Sequence, residues 1–204
     1  VMLLADWLLE SLHHLHGRQS AHSSDLWIYP ATKRMDIIIL RRFTRTSRLY
    51  ISHIGGIGIG GGTIQGLSRL LLKTQNIHQV VKMAEKGVIE NIDLQIKDIC
   101  NTPLPGLPLD ATASTFGKAS SNASMEDVAA GIIHMVLQSI GQSVILAALN
   151  SHIKDFVLIG NLTKMPQCKE IFPVMEEMYQ CHFWIPEYAE YRTALGAALA
   201  YTHK

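Results

Sequence analysis

Six glycines fall within the eight residues from Gly55 to Gly62, in a segment, Ile51–Leu72, that reads ISHIGGIGIGGGTIQGLSRLLL. A strand-like apolar stretch runs into the glycines, and the helix-spaced apolar residues Ile64, Leu67, Leu70 and Leu71 follow at once. Flexible Gly/Ser linkers carry no such pattern on their far side. Glycines let backbone N–H groups approach a ligand where a helix begins, and the helix dipole favours an anion there. The segment therefore predicts a strand–turn–helix that binds a nucleotide or phosphate. Gly56, Gly58 and Gly61 also satisfy G-x-G-x-x-G. No acidic residue ends a following strand about 20 residues on, as a dinucleotide site needs. No Gly-Lys-Ser/Thr follows either, which excludes a Walker loop.

The rest of the chain narrows the class. At 204 residues, with 48% hydrophobic and 17% charged residues, it builds a sizeable core in one large domain or two small lobes. A net charge of +1 leaves no electrostatic footprint for nucleic acid. Six cations between Lys33 and Arg48 surround the apolar residues Ile37–Leu40 and read as the solvated flanks of a strand. Cys100, Cys168 and Cys181 are odd in number and unpaired in spacing, so they read as reduced packing thiols. No apolar run approaches 18 residues, and MLLADWLLE carries acids where a signal peptide has a basic start. The expectation is a soluble cytoplasmic protein with neither a nucleic-acid partner nor a membrane partner.

Periodicity supplies the elements. Leu3, Leu4, Trp7, Leu8, Leu12 and Leu15 predict an amphipathic helix over residues 2–16. Strands are expected at Asp36–Arg41 and Leu49–Ile54, and a helix from Thr63 to Lys73. A second helix fits Ile77–Lys86, with Asn76 as N-cap and Gly87 as its stop. Ile92, Leu94 and Ile96 alternate with Asp93, Gln95 and Lys97, the pattern of a half-buried strand. Ser124-Met-Glu-Asp127 has the form of a capping box and opens a helix running to Asn150. Phe156–Gly160 (FVLIG) suits a central strand buried on both faces. A helix follows from Pro166, kinked or divided at Pro173. A short strand at Phe183–Ile185 and a small-residue helix at Glu190–Tyr201 complete an α/β alternation.

Five landmarks then stand in a recognisable order: GGIGIGGGTIQGL at Gly55–Leu67, IDLQIKDI at Ile92–Ile99, the LPG…ATASTFG loop at Leu104–Gly117, FVLIGN at Phe156–Asn161 and YRTALGAAL at Tyr191–Leu199. From Ile51 to Lys204 the chain resembles the type II pantothenate kinases, members of the acetate/sugar kinase–Hsp70–actin superfamily. The resemblance implies an actin-like ATPase (ribonuclease H-like) lobe, a mixed sheet with helices on both faces. It also implies ATP- and Mg2+-dependent phosphorylation of pantothenate to 4′-phosphopantothenate in coenzyme A biosynthesis, by a homodimer. Gly60, Gly61, Gly62, Thr63 and Ile64 match the segment that packs against the nucleotide, and Asn161 follows a strand whose carboxyl end is suited to contact it. Thr112, Ala113 and Ser114 match a segment near the pantothenate pocket and the dimer interface.

The first 50 residues depart from the family. Phosphoryl transfer needs a cradle for the β/γ-phosphates and a group that orients the attacking hydroxyl. Neither Asp6 nor Asp36 is followed by the family's glycine–threonine loop, and Glu10, the only glutamate before Glu85, sits on the amphipathic N-terminal pattern. The Gly-Thr-Gly-type turn ahead of the glycine run is missing, and His53 stands where an arginine is common. Residues 1–50 thus read as a missing or degenerate first lobe and 51–204 as the nucleotide-binding and dimerisation lobe, with the catalytic residue unidentified. The alternative reading is a non-catalytic nucleotide-binding or regulatory dimer partner. His13 and His16 lie three apart on a helix face, but no acid or cysteine completes a ligand set, so no metal site is assigned. Cys181-His182 are neighbours in sequence only, which does not make a catalytic pair.

Overall fold

A computed structural model of the chain describes residues 25–29, 35–43, 48–102, 106–151 and 153–202. The helix expected over residues 2–16, with Asp6, Glu10, His13 and His16, lies outside the described residues. The chain divides into two compact units, one of residues 1–58, 142–164 and 181–204, the other of residues 59–141 and 165–180.

The first unit is built on a five-stranded mixed sheet. Strands β1 (Asp25–Tyr29), β2 (Met35–Phe43) and β3 (Arg48–Ile57) form an antiparallel meander, with Trp27 opposite Ile38 and Ile39 opposite Ser52. Strand β6 (Asp155–Leu158) runs parallel to β1, Trp27 opposite Val157, and β7 (His182–Trp184) runs parallel to β6. The spatial order is β3-β2-β1-β6-β7. Parallel neighbours need long crossovers, and helices lie in the sequence before β6 and between β6 and β7. The expected mixed α/β sheet is therefore present. β1 was not anticipated, and a boundary at residue 50 cuts through β3, whose partner β2 lies before it. Phe156, Val157, Leu158 and Ile159 are buried, as the continuous apolar run FVLIG requires. The rings of Phe156 and Phe183, on paired strands, lie 5.2 Å apart between centroids. Trp184 Nε1 donates to Asp155 Oδ1 at 3.1 Å.

The second unit opens with α1 (Gly61–Leu67), which widens into a π-helical turn at Ser68–Leu72 and stops at Lys73 in the left-handed conformation (φ 54°). α2 (Ile77–Ala84) begins where expected, with the Asn76 side chain accepting from the N–H groups of His78 and Gln79. The predicted strand at Ile92–Lys97 shrinks to β4 (Leu94–Gln95), paired with β5 (Thr112–Ser114) and followed by a 3-10 turn at Ile96–Asp98. Its burial departs from the alternation at Asp93 and Gln95, while Ile92 is buried and Lys97 exposed as expected. Asp93 and Gln95 are 0% and 3% exposed; the Asp93 carboxylate accepts from the Phe116 N–H, and Gln95 Nε2 donates to the Asp110 carbonyl.

α3 (Met125–Ala148) starts at the predicted capping box, Ser124 Oγ accepting from the Asp127 N–H at 3.0 Å, and contributes residues to each unit. Contrary to the expectation of no long apolar segment, Met125–Ser151 is long and apolar enough to cross a membrane. Its residues explain that composition as core: Ala129, Ile132, Ile133, Val136, Leu137, Ile140, Val144 and Ala148 are buried. Side chains of α3 and α4 (Cys168–Tyr179) meet at Gly141, where a Cβ would lie 2.6 Å from Met175 Sδ. α4 runs through Pro173 undivided. One missing N–H costs the helix less than burial of Cys168, Phe172 and Met175 on its other face contributes. α5 (Arg192–Thr202) ends the described chain.

Candidate functional site

The glycine turn forms as a strand-to-helix junction, β3 into α1. Gly60 is the N-cap, and its carbonyl accepts from the N–H groups of Thr63 (2.9 Å) and Ile64 (3.2 Å), while Thr63 Oγ1 accepts from the Gly60 N–H at 3.1 Å. The N–H groups of Gly61 and Gly62, in the first turn, have no carbonyl four residues back within the helix and face outward from its start. Ile64 is fully buried, so of the five residues assigned here it offers a ligand backbone only. The first turn of α1 carries no acidic residue.

Glycines in this chain sit in contrasting surroundings. At Gly87, Gly117, Gly131 and Gly141 an added Cβ would collide with neighbouring atoms, the carbonyl of Glu126 in the first case and Leu94 Cβ at 2.7 Å in the second. Those glycines serve internal packing. At Gly58 and Gly60 an added Cβ would meet nothing within 4 Å, and Gly60 has φ 179°, extended backbone that any residue adopts. Neither sterics nor conformation within the described chain asks for glycine at position 60. Gly66, inside α1, is equally open.

Asn161 is exposed at the start of the 3-10 turn Asn161–Lys164, directly after β6. The turn is held by Gly160 (φ 103°), whose N–H donates to the Ala189 carbonyl at 2.9 Å and whose carbonyl accepts from Thr163 Oγ1. Asn161 lies in the first unit; the glycine helix and the Thr112–Ser114 strand lie in the second. Ala113 and Ser114 are exposed and Thr112 half-buried. Asp36 occupies β2 opposite both Tyr29 and Gly56, the middle of a sheet rather than a phosphate loop.

The polar centre of the second unit was not anticipated. Asp93 is fully buried; its carboxylate accepts from the Phe116 N–H at 2.8 Å and from Thr112 Oγ1 at 3.5 Å, and it meets His134 Nδ1 of α3 at 2.9 Å. With a carboxylate as partner, Nδ1–H is the donor and Nε2 keeps its lone pair in the neutral ring. The His134 side chain is 21% exposed. The only hint in the sequence was a lone histidine in an apolar helix. Around this centre, Lys118 Nζ bonds Asp98 Oδ2 at 2.7 Å, and that lysine, with the Gln95 N–H, holds the Asp98 carboxyl below its ordinary range. Burial pushes the Cys168 thiol up to about 12, so it is a packing residue and no nucleophile. Among the described residues none of the three cysteines forms a disulfide, and no group of three His, Cys, Asp or Glu gathers to hold a metal.

The Fumble family model matches residues 44–199, more than half of the chain. A 4′-phosphopantetheine phosphatase of Mus musculus is 38% identical over 112 residues, 52% of this chain and 14% of that protein. A type II pantothenate kinase of Staphylococcus haemolyticus is 30% identical over 152 residues, 71% of this chain and 56% of the kinase. One of Bacillus cereus is 33% identical over 110 residues, 52% of this chain and 40% of the kinase. The chain thus spans between 14% and 56% of the length of these relatives. Among solved structures, a chain described as a pCBH ParM non-polymerisable quadruple mutant superposes with a TM-score of 0.53 at 9% identity, covering 89% of this chain and 47% of that one. The likeness is one of fold, the actin-like α/β architecture.

Proposed function

This chain belongs to the Fumble family, and from that premise we propose that it is the nucleotide-binding and dimerisation portion of a pantothenate kinase, phosphorylating pantothenate to 4′-phosphopantothenate at the expense of ATP. The observation that carries this is the pair of glycines, Gly58 and Gly60, that nothing in the chain's own packing requires, at the head of the helix the family motif supplies. ATP is bound by the backbone of Gly60, Gly61, Gly62, Thr63 and Ile64, and pantothenate is met by Thr112, Ala113 and Ser114; for Asn161 a nucleotide contact rests on the family motif alone. Mg2+ would enter with the nucleotide phosphates, and the first turn of α1 offers it no carboxylate. Residues 51–204 are the functional lobe, acting as a homodimer in the cytoplasm. The kinase reading is preferred to a phosphatase one because the match covers 40% to 56% of two kinases but only 14% of the phosphatase.

A second reading, a non-catalytic nucleotide-binding or regulatory dimer partner, is favoured by the same absence of an acidic residue in the first turn of α1 and of a recognisable phosphate loop. Both readings predict nucleotide binding. Replacing Gly61 by Val puts a branched side chain in the first helical turn, where it obstructs the approach yet suits a helix slightly better than glycine. Gly61→Val is expected to abolish ATP and ADP binding in calorimetric titration while the far-ultraviolet circular dichroism stays that of the parent. Equal affinity in parent and variant would remove the glycine segment from the site.

A further inference from the structure

The loop Thr112–Lys118 is tied down at its ends and open in its middle. Ala113 and Ser114 are exposed, whereas Thr112 Oγ1 and the Phe116 N–H both converge on the buried Asp93 carboxylate, and the Lys118 N–H donates to the Ile92 carbonyl at 2.9 Å. The third partner of that carboxylate, His134 Nδ1, comes from α3. One turn before it on α3, Gly131 leaves room for the same neighbours: an added Cβ would lie 2.7 Å from Ile92 Cγ2 and 3.0 Å from Phe116 Cζ. A fully buried carboxylate is a costly way to fill a core, since an apolar residue of similar size packs there without desolvation. Its three partners lie at the two ends of one turn and on one helix, so what it gains is a fixed loop.

We infer that Asp93 and His134 are positioning residues that lock the Thr112–Phe116 turn in the conformation that meets the substrate, an inference that rests on the reading of Thr112–Ser114 as the pantothenate contact. A loop fixed at its ends before the ligand arrives avoids the ordering cost of binding. His134→Leu removes the donor at similar volume, and His134→Asn keeps an N–H near the position of Nδ1.

The experiment follows hydrogen exchange at the Phe116 amide in the 204-residue chain and titrates pantothenate and ATP separately into parent and variants. In His134→Leu, Phe116 exchange is expected to rise about tenfold and pantothenate affinity to fall about tenfold, with ATP affinity and exchange in α4 unchanged. His134→Asn is expected to restore both. Unchanged Phe116 exchange in His134→Leu overturns the clamp. Loss of both ligand affinities with faster exchange throughout the second unit overturns it too, since that marks a general scaffold residue. A parent that binds no pantothenate, while Phe116 exchange still responds, overturns the assignment of the loop's ligand and leaves the clamp standing. Should His134→Leu not fold, Asp93→Asn, which preserves shape and one acceptor, is read by the same criteria.

Discussion

Asp127 works harder than its place in a capping box suggests. Ser124 Oγ takes the Asp127 N–H, the half of the motif legible in the sequence. The Asp127 carboxylate also reaches 39 residues back to the Val88 N–H at 2.7 Å, and 36 back to Asn91 Nδ2 at 3.2 Å. The Val88 N–H above all, then the Ser124 hydroxyl, hold its carboxyl below the ordinary value of 3.8. A carboxyl depressed in the folded state contributes stability that is complete above 3.8 and is lost as pH falls through the lowered folded value. Asp127→Asn should therefore cost about 1 kcal/mol at pH 7, and its gap from the parent should narrow in acid. Urea titrations at neutral pH and at stepwise lower pH measure that gap; a gap that widens in acid contradicts the assignment. Asp93 marks the limit of reading single residues. Alternation placed it in solvent, and only partners 19 to 41 residues away, none encoded in local pattern, bring it inside.

Elements were legible where local periodicity is sustained. β2, β3, α2, α3 and β6 each carry an apolar pattern long enough to fix their type, and the Asn76 and Ser124 caps mark two helix starts. β1 was missed because five residues ending at Tyr29 gain their strand character from pairing with β2 and β6. The π-helical turn at Ser68–Leu72 follows from how one turn packs, which no spacing announces. α3 shows how element and interface are confused from sequence. Its apolar residues Ile132, Ile133, Val136, Ile140, Val144 and Ile145 spread widely round the helix, which suggested a twofold partner. Five of those six are buried in the single chain, Ile145 alone being only partly covered. Homodimerisation therefore keeps its support in the family resemblance and loses it in these residues. Ile132→Val should lower unfolding stability by about 0.5–1.5 kcal/mol and leave association in sedimentation equilibrium unchanged. A changed association constant at equal stability would put this face at an interface after all.

At the scale of the molecule, the actin-like fold and the glycine segment came from five ordered landmarks, whereas the chemistry remains divided. The residues proposed to contact ATP and pantothenate match the family's motifs, but Asp36 lies in mid-sheet, α1 starts without a carboxylate, and the chain spans 56% of the Staphylococcus haemolyticus kinase. Phosphoryl transfer is mostly positioning and charge stabilisation, so a chain with half the groups keeps binding and loses rate. The 204-residue chain is therefore expected to transfer labelled γ-phosphate to pantothenate at or near background while still binding ATP. Absence of an oriented base alone lowers such rates by about 10²–10⁴-fold, and a missing phosphate cradle lowers them further. Supplying the part of the Staphylococcus haemolyticus kinase that this chain does not match, in trans or fused ahead of Ile51, should raise turnover above that background. Failure of every such complement, with ATP binding intact, would favour the regulatory partner over the kinase. Robust turnover by the chain alone would instead locate a working phosphate site within residues 1–50, built from a pattern unlike the family's glycine–threonine loop.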